Sequence, residues 1–287
     1  MTREALVFGA SGQIGVPLLA RLQDAGWRVF AVSRDAHVDT AGVRWLRGEL
    51  ARVDGLPASV DVIFSCGPLD HFSRWYAAST ITAPRVIAFG STSIEVKSGS
   101  RDSTERDVAS RLAEGERTIL SAAAARCGHA TLLRPTLVYG AGRDRTLTRV
   151  AALAGRWGWF VLPRNADGLR QPVHVDDLAT AALLACDARA AHGQIYALPG
   201  GETLTYRDMI VRTLDVLQSR PRLVEVPRWL FHAVLGAARL GGHAASFGDA
   251  AMARMRNDLV FDATPAQRDF GYAPRLFQPD AGMFSAR

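Results

Sequence analysis

The stretch Val7-Phe-Gly-Ala-Ser-Gly-Gln-Ile-Gly15 decides the fold. It follows a short apolar run and opens a helical pattern, with Gly9, Gly12 and Gly15 three residues apart. A strand turning sharply into a helix needs residues without a Cβ at such points. The chain bends at Gly9, comes close to a diphosphate near Gly12, and packs helix against strand at Gly15. The helix N-terminus then presents unpaired N–H groups and partial positive charge to the phosphates. The flanks agree: Leu6-Val7-Phe8 reads as a buried strand, and Val16, Leu18, Leu19 and Leu22 suit one helical face. Gly26 can end that helix, and Arg28 to Val32 reads as the next strand. Spaced glycines alone would equally suit a plain turn. Strand, turn, helix and strand in this order predict a bound dinucleotide.

Further along, Val60 to Phe64, Arg85 to Phe89 and Ala130 to Leu133 read as short buried strands, with a helix from about Glu105 to Arg126. This alternation predicts an α/β fold: a Rossmann-type, doubly wound parallel sheet with helices on both faces. Its ligand would lie beyond the strand C-termini, where Gly9, Ser33, Cys66 and Ser91 should cluster. After about Arg143 the rhythm changes. Trp157-Gly-Trp159-Phe160 and Pro163 suggest a turn-rich segment, and Pro172-Val-His-Val-Asp-Asp-Leu178 a strand end entering a helix capped by Asp176 or Asp177. Ile195-Tyr-Ala-Leu198 reads as a strand, and Thr205 can cap a helix reaching about Gln218. Pro227 starts a helix carrying Trp229, Leu230, Phe231, Val234, Leu235 and Leu240, a stripe that suits a core or dimer face better than a membrane surface. The expected division is a dinucleotide-binding domain over 1–142, with 171–198 returning to it, and a smaller C-terminal α/β substrate lobe from 143–170 and 199–287.

A hydrophobic content of 48% with 22% charged residues excludes a disordered chain and suits one large α/β domain with a smaller lobe. No apolar run is long enough to span a bilayer, and the first strand begins without a secretory leader, so a cytoplasmic location is expected. Cys66, Cys127 and Cys186 lack metal-ligand or redox spacing and read as buried thiols. His71, His129, His174 and His192 are too scattered for a local metal site, so no metal is expected. The net charge of +6 rests on arginine, since Lys97 is the only lysine. The arginines are dispersed, which argues against a nucleic-acid surface and for a small phosphate-bearing ligand.

Three segments in order resemble the extended short-chain dehydrogenase/reductases, the NAD-dependent epimerase/dehydratase family: Gly9 to Gly15, Leu133-Arg-Pro-Thr-Leu-Val-Tyr-Gly140, and Val173-His-Val-Asp-Asp-Leu178. The resemblance implies a nicotinamide dinucleotide, a small-molecule substrate and, as a default, a homodimer. It assigns cofactor contacts to Gly9, Ser11, Gly12, Gln13, Ile14 and Gly15, to Ser33 and Arg34, to Glu49 and Leu50 near the adenine, to Cys66, Gly67 and Pro68 near the nicotinamide ribose, and to Ser91 and Pro135. It makes Thr92 a partner of the substrate oxygen beside Ser93, and sets Tyr139 near cofactor and substrate. It also suggests that Arg143, Arg145 and Arg170 grip an anionic substrate, as arginines do in nucleotide-sugar enzymes. The departure is equally informative. Members usually carry a tyrosine and, four residues later, a lysine on the helix after the fifth strand. Aligning that helix on Glu116 puts Val108 and Leu112 there, and the single lysine has Ser93 four residues before it. A free tyrosine, at a pKa of about 10, is a poor base without that lysine. Proton transfer then falls to a nonstandard donor, with Tyr139, His71, Ser93 and Lys97 as candidates; His174, beside a helix start, reads as structural.

The second strand ends Val32-Ser33-Arg34. An acid at the Ser33 position would bind both ribose hydroxyls and repel a 2′-phosphate, whereas Arg34 welcomes it. NADP is therefore favoured over NAD; the alternative has Asp35 on the ribose. The expected activity is an NAD(P)-dependent oxidoreductase, or an epimerase/dehydratase-like enzyme, acting on a small polar or nucleotide-linked substrate. The alternatives are a noncatalytic NADP(H)-binding sensor or assembly subunit, and an isomerase or lyase that retains its cofactor.

Overall fold

The computed structural model describes residues 2–50, 52–144, 146–227, 229–231 and 255–284. The apolar runs become strands β1 (Glu4–Phe8), β2 (Arg28–Ser33), β3 (Val43–Glu49), β4 (Arg52–Val53), β5 (Val62–Ser65), β6 (Arg85–Phe89) and β7 (His129–Pro135). The amphipathic segments between them become α1 (Gly15–Asp24), α2 (Leu69–Ala78), the one-turn α3 (Ser93–Lys97) and α4 (Ser103–Ala125). The second half supplies β8 (Val138–Tyr139), α5 (Leu147–Trp157), β9 (Trp159–Pro163), β10 (Leu169–Arg170), β11 (Val173–His174), α6 (Val175–Asp187), β12 (Ile195–Leu198), β13 (Leu204–Thr205), α7 (Tyr206–Asp215), β14 (Arg222–Val226) and α8 (Thr264–Phe270).

Eight strands form one sheet in the order β12-β7-β6-β5-β1-β2-β3-β4. Every pair from β12 to β3 is parallel; β4 alone runs antiparallel, against β3. The strand order reverses between β1 and β5, and the crevice at such a switch point is where open α/β sheets bind ligands. Because side chains alternate along a strand, each strand feeds two cores. Val7 and Phe64 join Leu18, Leu22 and Leu178 under α1 and α6. Leu6 and Ile63 join Phe72 and Ile119 under α2 and α4. Each fully buried Leu or Phe contributes about 1.5–3 kcal/mol, which fixes the register and so the positions of the strand ends. A third cluster, with Leu147, Val150, Met209, Ile210 and Phe277, gathers α5 and α7 beside the parallel pair β9–β14.

Several local expectations change. Trp157-Gly-Trp159 is not an open turn: Leu147, Val150, Ala151 and Ala154 bury a helical stripe. Gly158, at φ 74°, ends that helix in the left-handed conformation, and β9 begins at once. The cap of α6 is neither Asp176 nor Asp177 but His174, whose Nδ1 accepts from the Asp176 N–H at 3.2 Å. Thr205 does cap α7, accepting from the Asp208 N–H at 3.0 Å, but the helix stops at Asp215. Within the span 199–287 expected for the lobe, Ala266, Phe270 and Tyr272 join the main-sheet core. Trp229 to Phe231 are helical, whereas Val234, Leu235 and Leu240 lie outside the described residues.

Candidate functional site

At the switch point a groove of about 480 Å³ runs along the C-terminal ends of β1, β2, β3 and β5. Gly9, Ser11 and Gly12 form its floor, Ser33 and Arg34 one end, Glu49 and Leu50 a wall, and Cys66, Gly67 and Pro68 the opposite rim with His71. Thus Gly9, Ser33 and Cys66 cluster as expected, while Ser91 does not line the groove. The bend at Gly9 has φ 70°, and a Cβ there would lie 2.9 Å from the Cys66 carbonyl carbon and the Gly67 nitrogen. The strand ends therefore meet only because that side chain is missing. Helix α1 starts from Ile14 with no side-chain cap, as do α2, α3, α5 and α8, and it alone of these begins directly from the glycine loop. Uncapped N–H groups at the end of a glycine cradle fit a diphosphate.

The Ser33 end is rich in donors. Ser33 Oγ sits 2.9 Å from Ser11 Oγ and 3.1 Å from His37 Nε2, and accepts from the Asp35 N–H at 3.2 Å. The His37 ring stacks on Trp45 with centroids 4.1 Å apart. Burial pushes the Cys66 thiol up to about 12, so it walls the groove as an uncharged side chain. Neither His37 nor Trp45 was signalled by the sequence motif; only the β2–β3 pairing makes them neighbours.

The residues expected to handle substrate fall elsewhere. Thr92 is 6% exposed and its hydroxyl donates to the Pro135 carbonyl at 3.2 Å, which joins the ends of β6 and β7 away from the groove. Ser91 Oγ accepts from the Ser93 N–H at 3.1 Å, inside the same turn. Tyr139 is 1% exposed, edge-on to His174 and Phe277, and burial pushes its phenol up to about 12. It belongs to a core, which corrects the expectation of a proton donor: a phenol that water cannot reach has no path to exchange its proton. Arg170 is 4% exposed and donates to the Leu169 and Asn257 carbonyls at 2.6 and 2.8 Å. Its guanidinium holds two segments together rather than a substrate. Arg143 does approach the site, but it donates to the Ser11 carbonyl of the glycine loop at 2.6 Å. Arg145 lies outside the described residues. Among the described residues no three His, Cys, Asp or Glu side chains could hold a metal ion. Among them, too, no helix is long and apolar enough to cross a membrane.

Beneath the β6–α3 turn, Glu116 of α4 pairs with Arg134 of β7, Nε to Oε1 at 2.8 Å, and Arg134 also reaches Glu95 at 2.9 Å. The pair ties α4 to the sheet and sets the helix register in which Val108 and Leu112 stand two turns and one turn before Glu116.

The model of the NAD dependent epimerase/dehydratase family matches residues 109–198, from α4 to β12. Over that segment the chain resembles the epimerase/dehydratase family. An uncharacterized Escherichia coli (strain K12) protein, YbjS, is 26% identical over 152 residues, which are 50% of this chain and 45% of that one. The match thus spans less than half of that relative's length. The epimerase Mth375 of Methanothermobacter thermautotrophicus superposes with a TM-score of 0.71 at 13% identity, covering 96% of this chain and 88% of the other. UDP-glucuronic acid 4-epimerase from Bacillus cereus, solved in complex with NAD, gives 0.67 at 12% identity over 99% and 97%. At these identities the likeness shows the fold.

Proposed function

We propose that the chain binds NADP(H) in the β1–β5 groove and acts as an NADP-dependent oxidoreductase, or epimerase/dehydratase-like enzyme, on a small polar or nucleotide-linked substrate. The observation that carries this reading is the Ser33 end of the groove. Where an acid would repel a 2′-phosphate, the hydroxyls of Ser11 and Ser33 meet His37, with Arg34 lining the same end. A guanidinium and neutral donors favour a dianionic group, whereas no carboxylate of β2 is placed to take both ribose hydroxyls. The B. cereus epimerase, with its NAD, supports a nicotinamide nucleotide in a groove of this fold. The cofactor supplies hydride transfer; the chain's part is to hold its diphosphate at α1 and its ribose at the β2 end. Among the polar side chains considered for proton transfer, His71 lines the groove. Calorimetric titration with NADPH and NADH tests binding, and the reduced-nicotinamide absorbance, followed over carbonyl compounds and sugar nucleotides, tests turnover. NADPH tighter than NADH, with substrate-dependent oxidation, is expected; no binding of either removes the proposal.

A second reading, a noncatalytic NADP(H) sensor or assembly subunit, is favoured by one observation. The side chains at the usual acid/base positions are Val108 and Leu112, while Thr92 and Tyr139 are engaged in packing. Tight NADPH binding without turnover of any carbonyl or sugar-nucleotide substrate would select it.

A further inference from the structure

The parallel pair β9–β14 has two unlike faces. Arg222 stands opposite Trp159 and Val224 opposite Val161. Side chains alternate along each strand, so these four share one face. Phe160, Leu162 and Leu223 point the other way, into the cluster around α5 and α7. On the outer face Trp159 is 43% exposed and Val224 40%. Trp157, 42% exposed, is the last residue of α5, just before the left-handed turn at Gly158. Its ring stacks on that of Trp159 with centroids 5.8 Å apart. A Cβ at Gly158 would meet nothing within 4 Å, so the turn carrying the two indoles projects into open space.

Charge is sorted between the two faces. Glu225, next to Val224, points inward and pairs with Arg207 of α7, which also draws Asp208 and Asp167. On the outer side Arg156 adjoins Trp157, Arg222 opposes Trp159, and Arg220 lies two residues before Arg222. All three are exposed, and none forms an ion pair with a described residue. Single exposed apolar residues need no explanation, but a contiguous patch of stacked indoles and valines marks a contact surface. Its partner must be apolar where it meets Trp157, Trp159 and Val224, and anionic at the rim. A second copy of this face would bring the same guanidiniums together. A nucleic acid would lay sugar and phosphate against the valines. We propose that this face rests on an anionic lipid surface, with the indoles at headgroup level and the arginines on the lipid phosphates. The contact is peripheral, since among the described residues no helix is long and apolar enough to cross a membrane. It is read without reference to the cofactor or the reaction.

The test is co-sedimentation of the full chain with vesicles of equal parts phosphatidylglycerol and phosphatidylcholine, against vesicles of phosphatidylcholine alone. Partition onto the anionic vesicles, weakened by added sodium chloride, is expected, with tryptophan fluorescence quenched by brominated lipid. Arg156→Gln and Arg222→Gln should each weaken partition about fivefold. Trp157→Ala should weaken it about tenfold. Val224→Asp, a charge on an exposed strand position, should abolish it; melting curves of all four variants check that the fold is intact. No partition onto anionic vesicles overturns the proposal, and so does equal partition of wild type and Val224→Asp. Without vesicle binding, a single-stranded oligonucleotide held through the same arginines would replace it with a nucleic-acid surface. A dimer lost in Val224→Asp, again without vesicle binding, would replace it with a contact between copies of this chain.

Discussion

Gly15→Ala tests the cradle most directly. A Cβ at this position would lie 2.6 Å from the Ala10 carbonyl oxygen and 2.7 Å from its carbon, and closer still to the Gly9 carbonyl oxygen. These are backbone atoms, so no rotamer change relieves the overlap. Ordinary carbon contacts sit at about 3.5–4.0 Å, so loop and helix must separate by roughly 1 Å. Overpacking of this kind costs about 1–3 kcal/mol. For a chain of this size that lowers Tm by roughly 2–12 °C. The same displacement misaligns the uncapped α1 amides. Losing one charge-assisted hydrogen bond to a diphosphate, about 1.5–3 kcal/mol, weakens NADPH about 10–150-fold. Scanning calorimetry with and without NADPH reads both effects. Gly26→Ala is the control: nothing lies within 4 Å of its Cβ and its φ is 73°, so it should cost about 1–2 kcal/mol of strain and leave cofactor affinity alone. A Gly15→Ala protein that melts and binds NADPH like wild type would refute the packing argument.

Arg34→Ala should weaken NADPH about 10–150-fold and leave NADH within about twofold, while Ser33→Asp should reverse the preference; calorimetry with both cofactors checks each. Tyr139→Phe, which removes a buried hydroxyl remote from the groove, should change neither turnover nor NADPH affinity, and Tm should hold or rise slightly; a large loss of turnover would return Tyr139 to the catalytic site. His174 is held below its ordinary pKa of 6.5, so the unfolded chain binds the proton more readily than the folded one. Stability from this group is therefore present above about pH 6.5 and is lost as pH falls through the lower folded value. His174→Asn, which keeps a helix-capping side chain, should lose less stability than wild type between pH 7.5 and 5.5 in urea melts. An identical pH dependence in the two proteins would contradict this.

The legible part of the site was the local part. The glycine spacing and Ser33-Arg34 are each set within a few residues of chain, and so are readable from it. The illegible part came from pairs far apart in sequence. Thr92 gives its hydroxyl to Pro135, 43 residues on, and Arg143 reaches back 132 residues to Ser11. Arg170 is held by the Asn257 carbonyl 87 residues away. An arginine bound for solvent and one bound for a buried carbonyl look alike in a sequence. The Trp157–Trp159 segment misled for a related reason: glycine between two aromatics suits a loop as well as a helix end, and the stripe from Leu147 to Ala154 settles it only against α7 and β9.

By itself the sequence determined the doubly wound sheet, the glycine loop at its switch point, and the absence of a tyrosine–lysine pair, because these follow from hydrophobic period, Cβ-free positions and residue identity. Only the tertiary structure decided which polar side chains face the groove. It moved Tyr139 and Arg170 inward, brought His37 to Ser33, and turned Arg143 onto the cofactor loop, because burial and hydrogen bonding depend on the neighbours that folding supplies.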